Sequence, residues 1–144
     1  AYMNNAQVVV VPKEKAVEFV TVDSIKGLRF AVESGSAGAS QLEELGMEYI
    51  GMQTQADALL EVASGASDAC VIDLLMASAM IGEGTSYPGL SYTVKLNDEE
   101  YGVGFRKGSD LAARLNDFLA SCYESGKTLE IAREYDVQEA VIPF

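Results

Sequence analysis

The chain has 144 residues, of which 49% are hydrophobic, and it has a net charge of −12 at pH 7. This length suffices for one core or a small two-part domain, and the negative charge argues against nucleic acid or an anionic membrane surface as a partner. Because the sequence contains no histidine, Ser-His-Asp catalysis, Cys-His catalysis and His-ligated metal sites are excluded within this chain.

The first predicted element is a strand over residues 6–11, which includes four consecutive valines at 8–11. A run of β-branched residues without polar alternation is typical of a strand that is buried on both faces. Residues 1–5 before it are polar and unpatterned. After it, residues 13–23 predict a loosely ordered connection, and residues 24–27 predict a single helical turn that ends at a glycine.

Residues 27–45 predict a strand, a glycine-rich corner and the start of a helix. Residues 30–32 are a short apolar run bounded by turn residues, as in a buried strand. The corner, residues 34–40, has only small side chains, and the helix after it begins at Ser36 or at Ser40. Free N–H groups and the positive end of the helix dipole would bind a carboxylate or phosphate there. The alternative is a plain tight turn.

Strands and helices alternate through the middle of the chain. The pattern predicts a strand over residues 48–52 and a helix that begins with Thr54 as its capping residue. A strand over 68–72 that ends in Asp73 and a nearly all-apolar, buried helix over 74–81 follow. The order βαβαβα is typical of α/β proteins with a parallel sheet and helices on its faces. Ligands bind such sheets at the carboxyl ends of the strands, where the glycine-rich corner and Asp73 would both lie.

The last third of the chain predicts two strands followed by two helices. Residues 90–96 alternate apolar and polar side chains, and the two glycines within a strand over 101–105 suggest a close approach of another backbone or a ligand. The helices precede and follow Gly126. The two cysteines, Cys70 and Cys122, have no metal-like or redox spacing, and their apolar surroundings favour burial.

Taken in order, these pieces resemble the extracytoplasmic solute-binding proteins of amino-acid ABC transporters, the two-lobed type II periplasmic binding proteins. Residues 2–11 are similar to the family's first hinge strand, residues 23–32 to the entry into its second lobe, and Gly35-Ser36 to its anion-binding corner. Residues 59–73 are similar to its helix, glycine, Asp-Ala, strand and aspartate element, and residues 101–135 to its return strand and closing helices. The resemblance covers essentially the whole chain, and it consists in the order and spacing of these segments.

The resemblance implies an α/β, periplasmic-binding-protein-like fold, in which a parallel-sheet lobe 2 with helices on both faces is joined to a C-terminal remnant of lobe 1. Residues 1–22 would be the hinge strand and connection from lobe 1, residues 23–96 the ligand-binding lobe 2, and residues 97–144 the return hinge and C-terminal helices of lobe 1. The family's N-terminal segment supplies an arginine that pairs with the ligand carboxylate, and it has no counterpart here. We therefore expect a truncated form that binds ligand weakly alone.

The ligand implied by the resemblance is a polar amino acid. Its α-carboxylate would be bound by the Ser36 hydroxyl and the N–H groups of Ala37 and Gly38, its α-ammonium would be bound by Asp73, and Gln53 could line the site. The family often has Thr and a polar residue at the positions of Ala37 and Gly38, so those side-chain hydrogen bonds are absent here. Without the resemblance, Ser36 and Asp73 are helix N-caps, and Ser36 could be both.

The implied role is a non-enzymatic one: the protein would deliver the amino acid to an ABC permease in the membrane, without cofactor or metal. The alternatives are the ligand-sensing lobe of a receptor and a cyclohexadienyl-dehydratase-like enzyme with a carboxylate as its acid. The implied location is extracytoplasmic, in the periplasm or as a cell-surface lipoprotein, with the signal segment outside this chain. Because the Val8–Val11 strand would lack partners from lobe 1, it would pair between chains, which predicts a homo-oligomer.

Overall fold

A computed structural model describes all 144 residues, which form two compact units. One unit is Ala6–Asp98, and the other is Ala1–Asn5 together with Glu99–Phe144. In chain order the elements are β1 (Met3–Asn5), β2 (Gln7–Pro12), β3 (Phe30–Glu33), α1 (Ala37–Glu44), β4 (Tyr49–Met52), α2 (Gln55–Ala63), β5 (Ala69–Asp73), α3 (Leu74–Met80), β6 (Leu90–Lys95), β7 (Glu99–Tyr101), α4 (Leu111–Glu124) and α5 (Lys127–Glu134), with short 3₁₀ turns at Lys13–Lys15 and Gln138–Ala140.

The larger unit is built on a mixed five-stranded sheet with the order β4-β3-β5-β2-β6. β4, β3 and β5 are parallel, and Phe30 on β3 lies opposite Tyr49 on β4 and Ala69 on β5. This confirms the parallel α/β core that the alternation of elements predicts. β2 runs antiparallel to both of its neighbours, with Val8 opposite Ile72 on β5 and Lys95 on β6.

β2 is an interior strand of this sheet. All four of its valines are at most 2% exposed, which confirms a strand buried on both faces. The expectation that it lacks partners is wrong, because β5 and β6 occupy its two edges. The predicted route to a homo-oligomer through Val8–Val11 is wrong for the same reason. This pairing also puts residues 6–22 in the larger unit, whereas the predicted division groups them with lobe 1.

Helices cover both faces of the sheet, as predicted. Val8 and Val10 of β2 belong to a core cluster that includes side chains of α2 and α3. Val9 and Val11 belong to a second cluster, which includes side chains of α1 and the buried Ile25. Successive residues of a strand point to opposite faces, so a strand with helical layers on both sides requires an uninterrupted apolar run.

The smaller unit pairs β1 with β7 and adds α4 and α5. Asn5 Nδ2 donates a hydrogen bond to Glu99 Oε2 at 2.8 Å. Ala132 is the one buried apolar residue of this unit, and α4 has no buried residue. Apolar side chains instead line an open groove of about 400 Å³ that includes Phe118 and Ile131. None of the protein's helices is long and apolar enough to cross a membrane.

Three local predictions differ from the structure. The strand expected over 101–105 stops at Tyr101, since residues 102–105 are exposed and have no strand partner. The helix α3 is not buried on most sides: only Ala77 is buried, and Ser78 and Ala79 are exposed. The unpatterned N-terminus contains β1, which pairs with β7 through its backbone, and backbone pairing needs no side-chain pattern.

Candidate functional site

The candidate site lies at the edge of the larger unit's sheet where the parallel strands end. Because β3, β4 and β5 run in the same direction, the residues that follow them meet at one edge. Ser36 follows β3, Gln53 follows β4, and Asp73 ends β5. Val32 lies opposite Val71, so the segment leading into α1 and the segment ending in Asp73 lie on adjacent strands, about 4.8 Å apart.

The start of α1 provides hydrogen-bond donors at this edge. Ser36 is the N-cap residue, and its Oγ accepts a hydrogen bond from the N–H of Ala39 at 3.1 Å. The N–H groups of Ala37 and Gly38 belong to the first turn, so they have no partner inside the helix. The Ser36 hydroxyl can still donate its proton, because a hydroxyl is a donor and an acceptor. Capping and anion binding by Ser36 are therefore compatible.

Gly38 lies where α1 crosses closely over the sheet. A Cβ on this residue would lie 2.9 Å from Val71 Cγ1, 3.1 Å from Val32 Cγ2 and 3.0 Å from Gln7 Oε1. These distances leave no room for a side chain. The residue type at this position is therefore set by packing, and any hydrogen bond that the position offers to a ligand comes from its backbone.

Asp73 is held by two glutamine amides. Its Oδ1 accepts a hydrogen bond from Gln7 Nε2 at 2.7 Å, and its Oδ2 accepts one from Gln55 Nε2 at 2.6 Å. The N–H of Asp73 donates to Gln55 Oε1 at 2.9 Å. Asp73 occupies the N-cap position of α3, but its side chain makes no capping bond.

Comparison with known proteins decides the fold. No family model and no curated protein matches the chain. A substrate-binding protein of an ABC uptake transporter from Streptococcus pneumoniae, solved with bound histidine, is 26% identical with a TM-score of 0.78, over 98% of this chain and 61% of that chain. A mutant of ArgBP from T. maritima is 27% identical with a TM-score of 0.77, over 94% of this chain and 61% of that chain.

The chain has the fold of a type II periplasmic binding protein. A histidine kinase sensor domain, described as similar to periplasmic binding proteins, is 19% identical with a TM-score of 0.75, over 93% of this chain and 60% of that chain. At that identity the match shows the fold alone. The chain spans about three fifths of the length of the solved structures it matches.

Two residues of this periplasmic-binding-protein fold, Gln7 and Gln55, were not among the predicted site residues. Gln7 precedes the valine run and is only 2% exposed, and a buried glutamine needs a hydrogen-bond partner. A polar residue beside an all-apolar strand is the signal that could have identified it. Gln55 follows the capping residue of α2, and nothing in its local sequence distinguishes it from an ordinary helix residue.

The two residues after β4 differ in their surroundings: Thr54 caps the next helix, whereas Gln53 is exposed to solvent. Thr54 caps α2: its Oγ1 accepts from the N–H of Asp57 at 3.1 Å, and Asp57 Oδ2 accepts from the N–H of Thr54 at 3.1 Å. This confirms the predicted cap. Gln53 is exposed at the end of the strand, so its side chain faces solvent at the same edge as Ser36 and Asp73.

The charged pair with the largest pKa effect lies away from this edge. Arg29 immediately precedes β3 and Asp68 immediately precedes β5, so both lie at the start of their strands, away from the candidate site. The guanidinium Nη2 of Arg29 donates a hydrogen bond to Asp68 Oδ1 at 2.9 Å. Hydrogen bonds from the Arg29 side chain and backbone lower the pKa of Asp68 to about 2. No group of three His, Cys, Asp or Glu side chains is arranged to hold a metal ion.

Proposed function

We propose that this chain binds a polar amino acid at the Ser36–Asp73 edge and delivers it to an ABC-transporter permease. The supporting observation is the adjacency of two opposite kinds of group: N–H donors at the start of α1 and the Asp73 carboxylate at the end of the neighbouring strand. An α-amino acid is a zwitterion whose carboxylate and ammonium groups are close together. It therefore matches this pair of groups with both of its charges.

The carboxylate would be bound by the Ser36 hydroxyl and the N–H groups of Ala37 and Gly38, with the helix dipole favouring its negative charge. The ammonium would be bound by Asp73. A hydrogen bond to a charged group contributes about 1.5–3 kcal/mol. Gln53 would contact the ligand side chain. The role involves no bond making or breaking.

The matched structures support an amino acid as the ligand. One of them is an ABC uptake protein with bound histidine, and another is an arginine-, lysine-, histidine-binding protein, ArtJ, at 25% identity. A net charge of −12 is compatible with a cationic ligand. We propose the larger unit as lobe 2 of an extracytoplasmic protein. Because the chain spans three fifths of the matched structures, we expect these residues alone to bind weakly.

The test is an NMR titration of the ¹⁵N-labelled chain with L-arginine and L-histidine, which detects weak binding residue by residue. We expect the amide signals of Ser36, Ala37, Gly38 and Asp73 to shift together and to saturate. Asp73→Asn should remove the response, whereas Asp117→Asn, on the exposed surface of α4, should retain it. Absence of shifts at this edge with both amino acids would overturn the proposal.

Delivery is a separate step with its own measurement. The loaded chain should stimulate ATP hydrolysis by an amino-acid ABC permease reconstituted in vesicles, and the Asp73→Asn variant should not. Binding without stimulation of any such permease would leave ligand capture in place and remove the transport role.

A further inference from the structure

We propose that the Ser36–Asp73 edge selects amino acids with a cationic side chain, and that the Glu33 carboxylate pairs with the charge of that side chain. This inference rests on the proposed function, in which the same edge binds the α-carboxylate and the α-ammonium group. It adds the class of side chain that the site accepts and the residue that recognises it.

Charge is distributed unevenly along the larger unit. Residues 30–94, which contain all three parallel strands and the helices that follow them, include nine aspartate or glutamate residues and neither lysine nor arginine. Lys95, at the end of β6, is paired with Asp98. A ligand with an anionic side chain would therefore meet no free opposite charge on these elements, whereas their field favours a ligand with a cationic side chain.

Glu33 carries a carboxylate without a partner at the candidate edge. The carboxylate of Asp57 accepts hydrogen bonds within the capping box of α2, and that of Asp73 accepts from two glutamine amides. Glu33 is the half-buried last residue of β3, and its carboxylate forms no hydrogen bond or ion pair within the chain. A partly buried carboxylate gains more from a cationic partner than a fully exposed one, because less water screens the two charges.

Glu33 lies close to the carboxylate-binding start of α1. The Ser36 N–H donates to the Glu33 carbonyl at 3.2 Å, which closes a β-turn in which Gly35 has a φ of +73°. The Cα atoms of the first and fourth residues of such a turn are within about 7 Å of each other. The flexible stem of an arginine or lysine side chain spans this separation while the ligand's α-carboxylate stays at Ser36.

Glu33 lies on the α2 side of the sheet. Ala31 packs in the core cluster that includes side chains of α2, and Val32 packs in the cluster that includes side chains of α1. Since alternate residues of a strand share a face, Glu33 points to the same side as Ala31. Gln55, which begins α2, bonds to Asp73 from this side. The ligand's carboxylate at α1 and its side chain at Glu33 would thus lie on opposite sides, with its ammonium group at Asp73.

The test compares L-arginine with L-citrulline, which has the same length but an uncharged ureido group in place of the guanidinium. Dissociation constants come from NMR titrations of the ¹⁵N-labelled chain, measured at the amides of Ser36 and Asp73. Wild type should bind L-arginine about tenfold more tightly than L-citrulline, the difference expected for one hydrogen bond between charged groups. Glu33→Gln should lose this preference by weakening L-arginine alone.

Glu48→Gln is the matched control. Glu48 is an exposed glutamate that immediately precedes β4, so it lies at the opposite edge of the same sheet. The substitution removes the same charge as Glu33→Gln, and the variant should keep the preference for L-arginine.

The outcomes separate this inference from the proposed function. If neither amino acid shifts the amides of Ser36 and Asp73, the proposed function fails, and selection by Glu33 fails with it. Equal affinities for the two amino acids in wild type would keep ligand capture and overturn cationic selection. A preference that survives in Glu33→Gln, or that falls equally in Glu48→Gln, would overturn the role of Glu33.

A second measurement needs no variant. The side-chain ¹³Cδ signal of Glu33 in the wild-type chain should shift with L-arginine and stay in place with L-citrulline. Shifts at Ser36 and Asp73 without a shift at the Glu33 carboxylate would overturn the pairing while leaving ligand capture in place.

Discussion

The side chain of Gln7 occupies the space that a side chain at Gly38 would need: a Cβ there would lie 3.0 Å from Gln7 Oε1. Two valines of the sheet occupy the same space: the Cβ would lie 2.9 Å from Val71 Cγ1 and 3.1 Å from Val32 Cγ2. A glycine in the first turn of α1 therefore allows the helix to approach the sheet and allows Gln7 to reach Asp73.

Gly38→Ala should destabilise the protein, because the added methyl group forces buried neighbours to move. Overpacking of this kind costs about 1–3 kcal/mol. Urea unfolding followed by circular dichroism measures the change. Gly102→Ala is the matched control, since a Cβ there meets nothing within 4 Å, and it should leave the midpoint in place. Equal midpoints for Gly38→Ala and wild type would contradict the close approach.

The Arg29–Asp68 pair should make stability depend on pH in the acid range. The pKa of Asp68 is lowered to about 2 from an ordinary value of 3.8. The pair's contribution is therefore complete above pH 3.8 and is lost as the pH falls through 2. Because the two side chains are 63% and 32% exposed, solvent screening limits this contribution to about 1 kcal/mol.

Asp68→Asn tests this expectation. The variant should be less stable than wild type by about 1 kcal/mol near neutral pH, and most of this difference should be lost at about pH 2, where about half of the folded wild-type Asp68 is protonated. Urea midpoints at both pH values give the comparison, and Asp117→Asn on α4 is the control. A difference that persists undiminished at low pH would show that packing, not charge, explains it.

The capping box of α2 should contribute measurably to stability. Thr54→Ala removes the acceptor for the N–H of Asp57 and the donor to its carboxylate, and loss of an N-cap costs about 1 kcal/mol. Ser40→Ala, which removes a long 3.4 Å bond within α1, should change stability little or raise it slightly, since alanine is the better helix former. Thermal unfolding of the two variants measures the contrast.

The two cysteines should differ in reactivity. Both are free thiols, and Cys70 is buried while Cys122 is partly exposed. Burial raises the pKa of the Cys70 thiol, and only the thiolate reacts with alkylating reagents. Iodoacetamide should therefore add one group to the native chain, at Cys122, and two groups in urea. The folded Cys122→Ser variant should remain unmodified. Alkylation of this variant under native conditions would show that the core around Cys70 on β5 opens to solvent.

The sequence by itself determined the features that depend on neighbouring residues. The Ser36 and Thr54 caps, the βαβαβα order and the buried valine run all appear as expected. A capping hydrogen bond links residues only three positions apart in the sequence. The spacing of apolar residues indicates whether one face or both faces of a helix or strand are buried. The positions of Ser36, Gln53 and Asp73 at one edge follow from the parallel order of their strands.

Only the tertiary structure decided what joins residues that are distant in the sequence. β2 lies antiparallel between β5 and β6, although its valines would suit any interior strand of either direction. That placement brings Gln7 to Asp73 across 66 residues of sequence, and so creates the pair of amides around the carboxylate. Strand pairing is chosen by the packing of the whole sheet, because a run of identical apolar residues carries no information about which neighbour lies on either side.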